Sequence, residues 1–330
     1  MKKIIFVLLV AFAIYEVWQE SDAIAAKESH SKEYTENNKA TTNTNKDSYH
    51  RAWAEQPEKR VEEGLIHKSY FTTLADGTRV RNYSVCFDTK KMVARWVAYP
   101  LHKVYTTPKI DRTDAWAFDD AITKYGEGGY EIIGYQDNDT KIPQHFQPNV
   151  SRGGFNDGEN RMLDRGHMLP SASRYNSWQT NAQTFYATNI FPQSSKLNQQ
   201  NWAEVEDAAR KSMCSDTLYV VVGTLFENST IFSSRGRAIT RPSHCYKLLL
   251  RTRSGNTGKS ISQITDPEQI MAIGFLFENS SAGNVEPSEA VVSIAEIEEI
   301  SGFTFFRNLN PKVAKQVKVQ KNLANWSAFR

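Results

Sequence analysis

Asp164-Arg165-Gly166-His167-Met168-Leu169-Pro170 is the stretch of this sequence that says most about its architecture and chemistry. It places a histidine two residues after an arginine, and an imidazole is a good general base near neutral pH. Asn198 follows 31 residues after His167 and offers a neutral oxygen of the kind that magnesium accepts. A base, a cation and a neutral metal ligand together favour metal-assisted hydrolysis of a phosphodiester.

Length and composition indicate a globular chain. With 330 residues, of which 40% are hydrophobic and 12% aromatic, it can bury a full core. The net charge is only +3, so a site for a polyanion must be local. Cys86, Cys214 and Cys245 lack the spacing of a zinc site or a redox motif. One disulfide with one free thiol, and three free thiols, are both compatible with this count.

The first 60 residues differ in character from the rest. Two lysines precede an apolar run over residues 4–14, which is too short for a typical membrane-spanning helix and typical of a signal peptide. We assign residues 1–26 to this segment and residues 27–60, which are polar, to a disordered tether. We therefore expect an exported protein, secreted or periplasmic, with an uncleaved N-terminal membrane anchor as the alternative.

The remaining residues, 61–330, are predicted to form one domain whose strands begin near Tyr70. Residues 78–88 and 92–100 are rich in β-branched and aromatic side chains and predict a hairpin. Further predicted elements are strands over 130–135, 218–223, 245–250 and 271–276 and a helix over 202–211. Strands and helices do not alternate strictly, which favours an α+β fold.

Three ordered blocks of sequence resemble a known family, the DNA/RNA non-specific endonucleases, which include endonuclease G. The blocks are residues 164–170, Thr184-Phe185-Tyr186-Ala187-Thr188-Asn189-Ile190-Phe191-Pro192-Gln193, and Leu197-Asn198-Gln199-Gln200-Asn201-Trp202-Ala203-Glu204-Val205-Glu206. Weaker similarity extends over about residues 80–310. The resemblance implies the ββα-metal nuclease fold, with a mainly antiparallel central sheet flanked by helices.

The resemblance also implies roles for individual residues. His167 would be the general base, and Asn198 would be the direct protein ligand of a divalent ion, Mg²⁺ or alternatively Mn²⁺. Glu206 would hold metal-bound water, and Arg165 would stabilise negative charge in the transition state. Considered alone, Asn198 could instead cap a helix and Glu206 could be a solvated surface residue. Asp164 is interpreted as a structural hydrogen-bond acceptor.

Three further residues are predicted to contact the substrate. Asn189 matches a family position near the cleaved phosphate. Arg210 lies four residues after Glu206 on a helix, where it can contact phosphate or pair with that carboxylate. Arg112 matches the family's upstream arginine more loosely, because an insertion-like stretch over 130–148 lengthens the gap to residues 164–167.

The sequence therefore predicts an exported, metal-dependent endonuclease that acts on both DNA and RNA. One alternative is a catalytically silent nucleic-acid-binding protein on the same fold, and another is an envelope phosphodiesterase for small substrates. The family includes dimers, so a homodimer also remains open. Lys312, Lys315, Lys318 and Lys321 predict a basic helical strip that contacts nucleic acid or an anionic membrane, or else a solvated helix end.

Overall fold

The computed structural model describes residues 56–74, 79–107, 109–119, 123–126, 129–132, 142–156 and 162–329. The predicted signal segment, residues 1–26, and nearly all of the predicted tether, residues 27–60, lie outside the described residues.

The strands in the described ranges are β1 (Leu65–Thr73), β2 (Arg79–Asp88), β3 (Val93–Leu101), β4 (Thr123–Gly126), β5 (Gly129–Ile132), β6 (Phe155–Asn156), β7 (Met162–His167), β8 (Ile190–Ser194), β9 (Leu218–Leu225), β10 (Thr230–Ser234), β11 (Arg237–Arg241), β12 (His244–Thr252), β13 (Ile270–Glu278) and β14 (Val291–Val292). The α-helices in these ranges are α1 (Trp178–Ala182), α2 (Ser195–Gln199), α3 (Asn201–Lys211), α4 (Ile294–Ser301) and α5 (Pro311–Val317).

The central sheet has the strand order β1-β2-β3-β9-β12-β13-β14, and its neighbouring strands are antiparallel. β9 lies in the middle of this sheet and is almost entirely apolar, because both faces of the strand are covered. Val220 and Val222 point into a core on one face of the sheet, whereas Tyr219 and Val221 point into a core on the other face. Because successive side chains of a strand point to opposite faces, β9 contributes side chains to both cores.

The two cores bury different elements. The first core includes Leu163 of β7, Ile190 of β8 and Trp202 of α3, so it carries the segments that were singled out in the sequence. The second core includes Ile297 of α4 and Val317 of α5. Helices therefore cover the sheet on both sides, and the predicted α+β class with a mainly antiparallel sheet is confirmed.

Most predicted strands of the central sheet are confirmed. The predicted hairpin is β2 paired with β3, and three other predicted strands are β9, β12 and β13. The predicted helix is α3. Of the predicted strand 130–135, residues 130–132 belong to β5 and the remainder lies outside the described residues. β1 was not predicted, and it begins before Tyr70; as an edge strand it mixes polar and apolar residues.

The motif of residues 164–167 lies on β7, which pairs antiparallel with β8. The short helix α2 and then α3 follow β8 directly, so the chain forms the predicted strand-strand-helix (ββα) unit. Gly166 sits where the two strands approach closely, because a Cβ added there would lie 2.6 Å from the Cβ of Gln193. That distance is shorter than real Cβ contacts, so the glycine of the motif is a packing requirement.

The C-terminal lysines do not form the predicted basic strip. α5 ends at Val317, and Lys318 and Lys321 lie beyond it. The ammonium of Lys318 lies 2.6 Å from Glu298, and that of Lys321 lies 2.6 Å from Glu296, so α4 neutralises both charges. The prediction failed because acidic residues distant in sequence supply the counter-charges.

The three cysteines are free thiols, and Cys86 and Cys245 are buried. Burial raises the pKa of the Cys214 thiol to about 11. Among the described residues, no helix combines the length and the apolar character that crossing a bilayer would need.

Candidate active site

An open cleft of about 390 Å³ lies over the ββα unit. Six residues predicted from the sequence to belong to the site line it together: Arg112, Arg165, His167, Asn198, Glu206 and Arg210. Asp164, Trp116 and the glycine pair at 153–154 complete its walls. The cleft therefore brings a base, three guanidinium groups, an amide and a carboxylate within reach of one bound molecule.

His167 is half-buried at the end of β7. Its ring lies 5.2 Å from the ring of Trp116 and 5.1 Å from that of Phe185, measured between centroids. Burial, followed by the positive charges of Arg112 and Arg165, lowers the pKa of His167 to about 3. Within the described residues, its Nε2 atom has no hydrogen-bond partner. The imidazole is therefore neutral at physiological pH, and its buried Nε2 is not engaged by another described protein group.

Arg165 is held beside this histidine by two contacts. Its guanidinium carbon lies 3.5 Å from the centre of the Trp116 ring, and its Nη1 donates a hydrogen bond of 2.7 Å to the carbonyl of Val150. A cation stacked on an aromatic face keeps its edge donors directed outwards. Arg165 thus offers N–H groups to an anion in the cleft.

Asp164 organises the start of the helical part of the unit. One carboxylate oxygen accepts a hydrogen bond from Ser195 Oγ, and the other accepts hydrogen bonds from the side chains of Asn198 and Gln199, each at 2.8 Å. The interpretation of Asp164 as a structural acceptor agrees with these contacts. Because the Nδ2 group of Asn198 faces Asp164, the amide oxygen on the opposite side of the same plane is turned away from the carboxylate.

The donor chemistry of the cleft fits a hard divalent cation. The Oδ1 atom of Asn198 is a neutral oxygen, and the carboxylate of Glu206 is an anionic oxygen donor in the same cleft. Magnesium prefers oxygen ligands and keeps several waters, so a single direct ligand with a second group holding water suits it. Asn198 lies within α2 rather than at a helix cap, and the α2–α3 break at Gln200 separates it from Glu206. The two residues meet across this break, not along one continuous helix.

Glu206 pairs with a buried lysine. Lys247 on β12 has no exposed surface, and its Nζ lies 3.5 Å from Glu206 Oε1 and 4.5 Å from the centre of the Trp202 ring. Burial raises the pKa of Glu206, while Lys247 and then Arg210 oppose that shift. Burial likewise lowers the pKa of Lys247 against the attraction of Glu206. The pair therefore balances desolvation against mutual attraction.

Arg210 and Arg112 both line the cleft. Arg210 contacts Asp207 at 3.4 Å rather than pairing with Glu206, and within the described residues its Nη1 lacks a hydrogen-bond partner. Arg112 donates hydrogen bonds to Asp114 and Ser171, each at 2.9 Å. Both guanidinium groups thus face a common space with donors suited to phosphate oxygens.

Asn189 lies outside the cleft. It is completely buried, and its Oδ1 accepts a hydrogen bond from the backbone N–H of Leu169, while its Nδ2 donates to the carbonyls of Leu169 and Thr184. Its polar atoms are engaged by backbone groups, so the position does not support the predicted contact with substrate. Asn189 instead fixes the chain that leaves His167.

The sequence analysis did not assign a role to Lys247 or Trp116. Lys247 interrupts the apolar run of residues 245–250 on a strand with both faces buried, and a lysine in such a run needs a partner. That interruption was the feature of the sequence that could have identified Lys247 as part of a buried ion pair. Trp116 lies four residues after Arg112, but its contact with Arg165 joins residues far apart in the chain and leaves no local pattern.

Comparisons with known proteins identify the relatives of this chain. The nuclease of Nostoc sp. is 28% identical over 156 residues, which are 47% of this chain and 54% of that protein. The human mitochondrial nuclease EXOG is 28% identical over 275 residues, which are 77% of this chain and 64% of that protein. The alignments thus span less than two thirds of the length of either relative.

A nuclease of Serratia marcescens is 27% identical over 244 residues, covering 72% of this chain and 77% of that protein. Among solved structures, one from the EndoG/EndoGI complex matches with a TM-score of 0.46 and 20% identity, covering 70% of this chain and 85% of the other. The model of the family described as DNA/RNA non-specific endonuclease matches residues 63–312, which include every residue of the cleft. The chain belongs to the DNA/RNA non-specific endonuclease family.

Proposed function

We propose that this protein is a metal-dependent endonuclease that hydrolyses phosphodiester bonds in DNA and RNA. The observation that carries the proposal is the assembly of His167, Arg165, Asn198 and Glu206 in one cleft. Family membership supports the nuclease activity. A site built from guanidinium groups and a metal ligand addresses phosphate rather than base edges, which accounts for low preference between the two nucleic acids.

In the proposed reaction, His167 takes a proton from the attacking water. Its lowered pKa keeps the imidazole unprotonated before the reaction, so the ring can accept that proton. Arg165 stabilises the negative charge that develops on the phosphate, since its donors are already oriented by Trp116 and Val150. Arg112 and Arg210 hold the flanking oxygens of the same phosphate.

Asn198 would hold the divalent ion, and Glu206 would orient its water. A bound magnesium ion supplies charge neutralisation at the phosphate and stabilises the leaving oxygen; manganese is the alternative ion. Asp164 prepares the site for the ion by fixing the orientation of the Asn198 amide. Lys247 holds the carboxylate of Glu206 in place through their ion pair.

The proposal is tested with closed circular plasmid DNA and structured RNA, each with magnesium and with chelator. Wild-type protein is expected to cut both substrates only with magnesium, and His167→Ala is expected to lose this activity while keeping its circular dichroism spectrum. His145→Ala is the matched control, because His145 is exposed and lies outside the cleft. Cutting by His167→Ala at the wild-type rate would overturn the mechanism.

A DNA-binding assay and a small-diester assay, run beside the cutting assay, test two other functions. Binding of DNA by the wild type without cutting would indicate a catalytically silent scaffold. Cleavage of a small diester that duplex DNA does not inhibit would indicate a phosphodiesterase for small substrates. The intact set of His167, Asn198 and Glu206 favours the nuclease over the silent scaffold.

We also propose that the protein is exported through its N-terminal apolar segment, because residues 4–14 have the length and flanking lysines of a signal peptide. Fractionation of cells that produce the full chain tests this. Activity in the medium or the periplasm supports a cleaved signal, activity in the membrane fraction supports an anchor, and activity confined to the cytoplasm contradicts export.

A further inference from the structure

A two-stranded hairpin, β10–β11, lies at the edge of the cleft and has no role in the reaction proposed above. Its two-residue turn consists of Arg235 and Gly236, whose φ angles are +51° and +75°. A positive φ is ordinary for glycine in such a turn but uncommon for arginine. A non-glycine residue held in this conformation is a reason to look for a function at the tip.

The side chain of Arg235 fixes the hairpin to the rim of the cleft. Its Nη1 donates a hydrogen bond of 2.6 Å to the carbonyl of Asn149, and its Nη2 donates one of 3.1 Å to the carbonyl of Gly154. Gly154 itself lines the cleft. On β11, Arg237 donates to the carbonyls of Gln144 and Gln147, so a second contact holds the same segment. The tip is thereby placed beside the cleft.

The charge of Arg235 remains available at this rim. Its hydrogen-bond partners are backbone carbonyls, and in the described part of the chain no carboxylate pairs with it. Arg235 is exposed, and so is Arg152, which lies next to the cleft-lining Gly153. Burial lowers the pKa of the Arg165 guanidinium, and the positive charge of Arg235 is the next cause, which places that charge within electrostatic range of the cleft.

We propose that Arg235, together with the exposed Arg152 that precedes Gly153, binds a phosphate of the substrate chain next to the phosphate held in the cleft. A positive rim continuous with the guanidinium groups of the cleft suits a polyanion. A small diester has a single phosphate, which occupies the cleft and leaves no second phosphate for the rim to bind. The site therefore takes a polynucleotide. This inference rests on the proposed function and extends it from a single phosphate to the polymer.

Binding is measured apart from catalysis, with a fluorescein-labelled DNA duplex, chelator present, and salt varied from about 50 to 200 mM. Arg235→Gln removes the charge, and the slope of log affinity against log salt is expected to fall by about 0.9, the contribution of one phosphate contact. Arg307→Gln is the matched control. Arg307 is exposed, and in the sequence it lies between Phe306 and Leu309, which belong to the second core, on the other face of the sheet. The salt slope of Arg307→Gln should match that of the wild type.

Arg235→Lys separates the charge from the hydrogen bonds, since lysine keeps the charge but lacks the fork that reaches two carbonyls. A wild-type slope in Arg235→Lys supports a phosphate contact. A slope in Arg235→Lys as low as in Arg235→Gln, or a wild-type slope in Arg235→Gln, overturns the proposal.

A second measurement compares kcat/KM for duplex DNA with kcat/KM for bis(p-nitrophenyl) phosphate, both with magnesium. Arg235→Gln is expected to lower the ratio of polymer to small-diester turnover by about fivefold at low salt, a loss of the order of one charge contact. Equal losses on both substrates would mean that the hairpin only shapes the cleft, and would overturn the proposal. If the wild type cuts neither substrate, the proposed function fails, while the binding slopes still decide the role of Arg235.

Discussion

His167 lies in surroundings that keep its imidazole uncharged. Burial removes water from the ring, and two neighbouring guanidinium groups repel a proton. The same arginines that would attract an anionic substrate thus keep the imidazole of the proposed base unprotonated. A phosphate bound between these arginines would weaken the repulsion. The pKa of His167 is therefore lowered most before substrate binds.

The lowered pKa of His167 predicts a pH dependence of stability. Between the unfolded value of 6.5 and the folded value of about 3, the unfolded chain binds more protons, so the free energy of unfolding falls as pH drops through this window. From pH 7 to pH 5 the wild type should lose at most about 2 kcal/mol more than His167→Gln. Urea unfolding at the two pH values measures this. Equal losses in both proteins would show that His167 titrates normally.

Lys247 and Glu206 form a pair whose members depend on each other. Lys247→Met removes the group that most opposes the raised pKa of Glu206 and leaves the carboxylate with less compensation. Breaking such a pair costs about 3–5 kcal/mol, and the 15% exposure of the Glu206 side chain favours the lower end. Glu206→Gln combined with Lys247→Met should recover part of the loss, because no lone charge remains. Urea unfolding of the four proteins gives the coupling, and simple additivity would contradict the pairing.

At the scale of elements, the pairing of β7 with β8 determines where the motif side chains point. Arg165 lies opposite Pro192 and His167 opposite Ile190, so these two side chains leave the same face of β7, while Gly166 is packed against Gln193. The arrangement depends on the absence of a side chain at position 166.

Gly166→Ala should therefore destabilise the protein and disturb the cleft. The added Cβ would stand 2.6 Å from the Cβ of Gln193, which is itself completely buried, so a strand has to shift. Overpacking of this kind costs about 1–3 kcal/mol. Urea unfolding measures the loss, and the plasmid-cutting assay should show reduced activity as well. A variant with wild-type stability would mean that β8 can move aside without cost.

The elements differ in how well the sequence predicts them. β9 and β12 are buried on both faces, so their apolar runs identify them, whereas β7 carries the polar motif and has no strand pattern. The motifs predicted that His167 and Asn198 belong to the site, because the residues that mark each of them stand beside it in the sequence. The contacts of Lys247 and Arg235 join distant segments, and Asn189 shares its motif with the site while its side chain turns inward. Local patterns cannot separate such cases.

At the scale of the whole molecule, the described structure extends beyond the part that matches the family. The match ends at residue 312, yet Val317 belongs to the second core and Trp326 to the first. The final 3-10 turn, Ser327–Phe329, contacts α3, the helix that carries Glu206 and Arg210, and Phe329 stacks on Phe275 of β13. The C-terminal segment thus packs against both the helix that carries these cleft residues and the central sheet.

Trp326→Ala is expected to destabilise the whole domain although it lies outside the family match and outside the cleft. Only 1% of this side chain is exposed, and removal of a buried tryptophan costs about 3–5 kcal/mol. Val319→Ala is the control, because Val319 is 60% exposed and the change should lie within about 0.5 kcal/mol of zero. Urea unfolding followed by tryptophan fluorescence and circular dichroism measures both. A Trp326→Ala protein as stable as the control would mean that the C-terminal segment packs on a domain already complete without it.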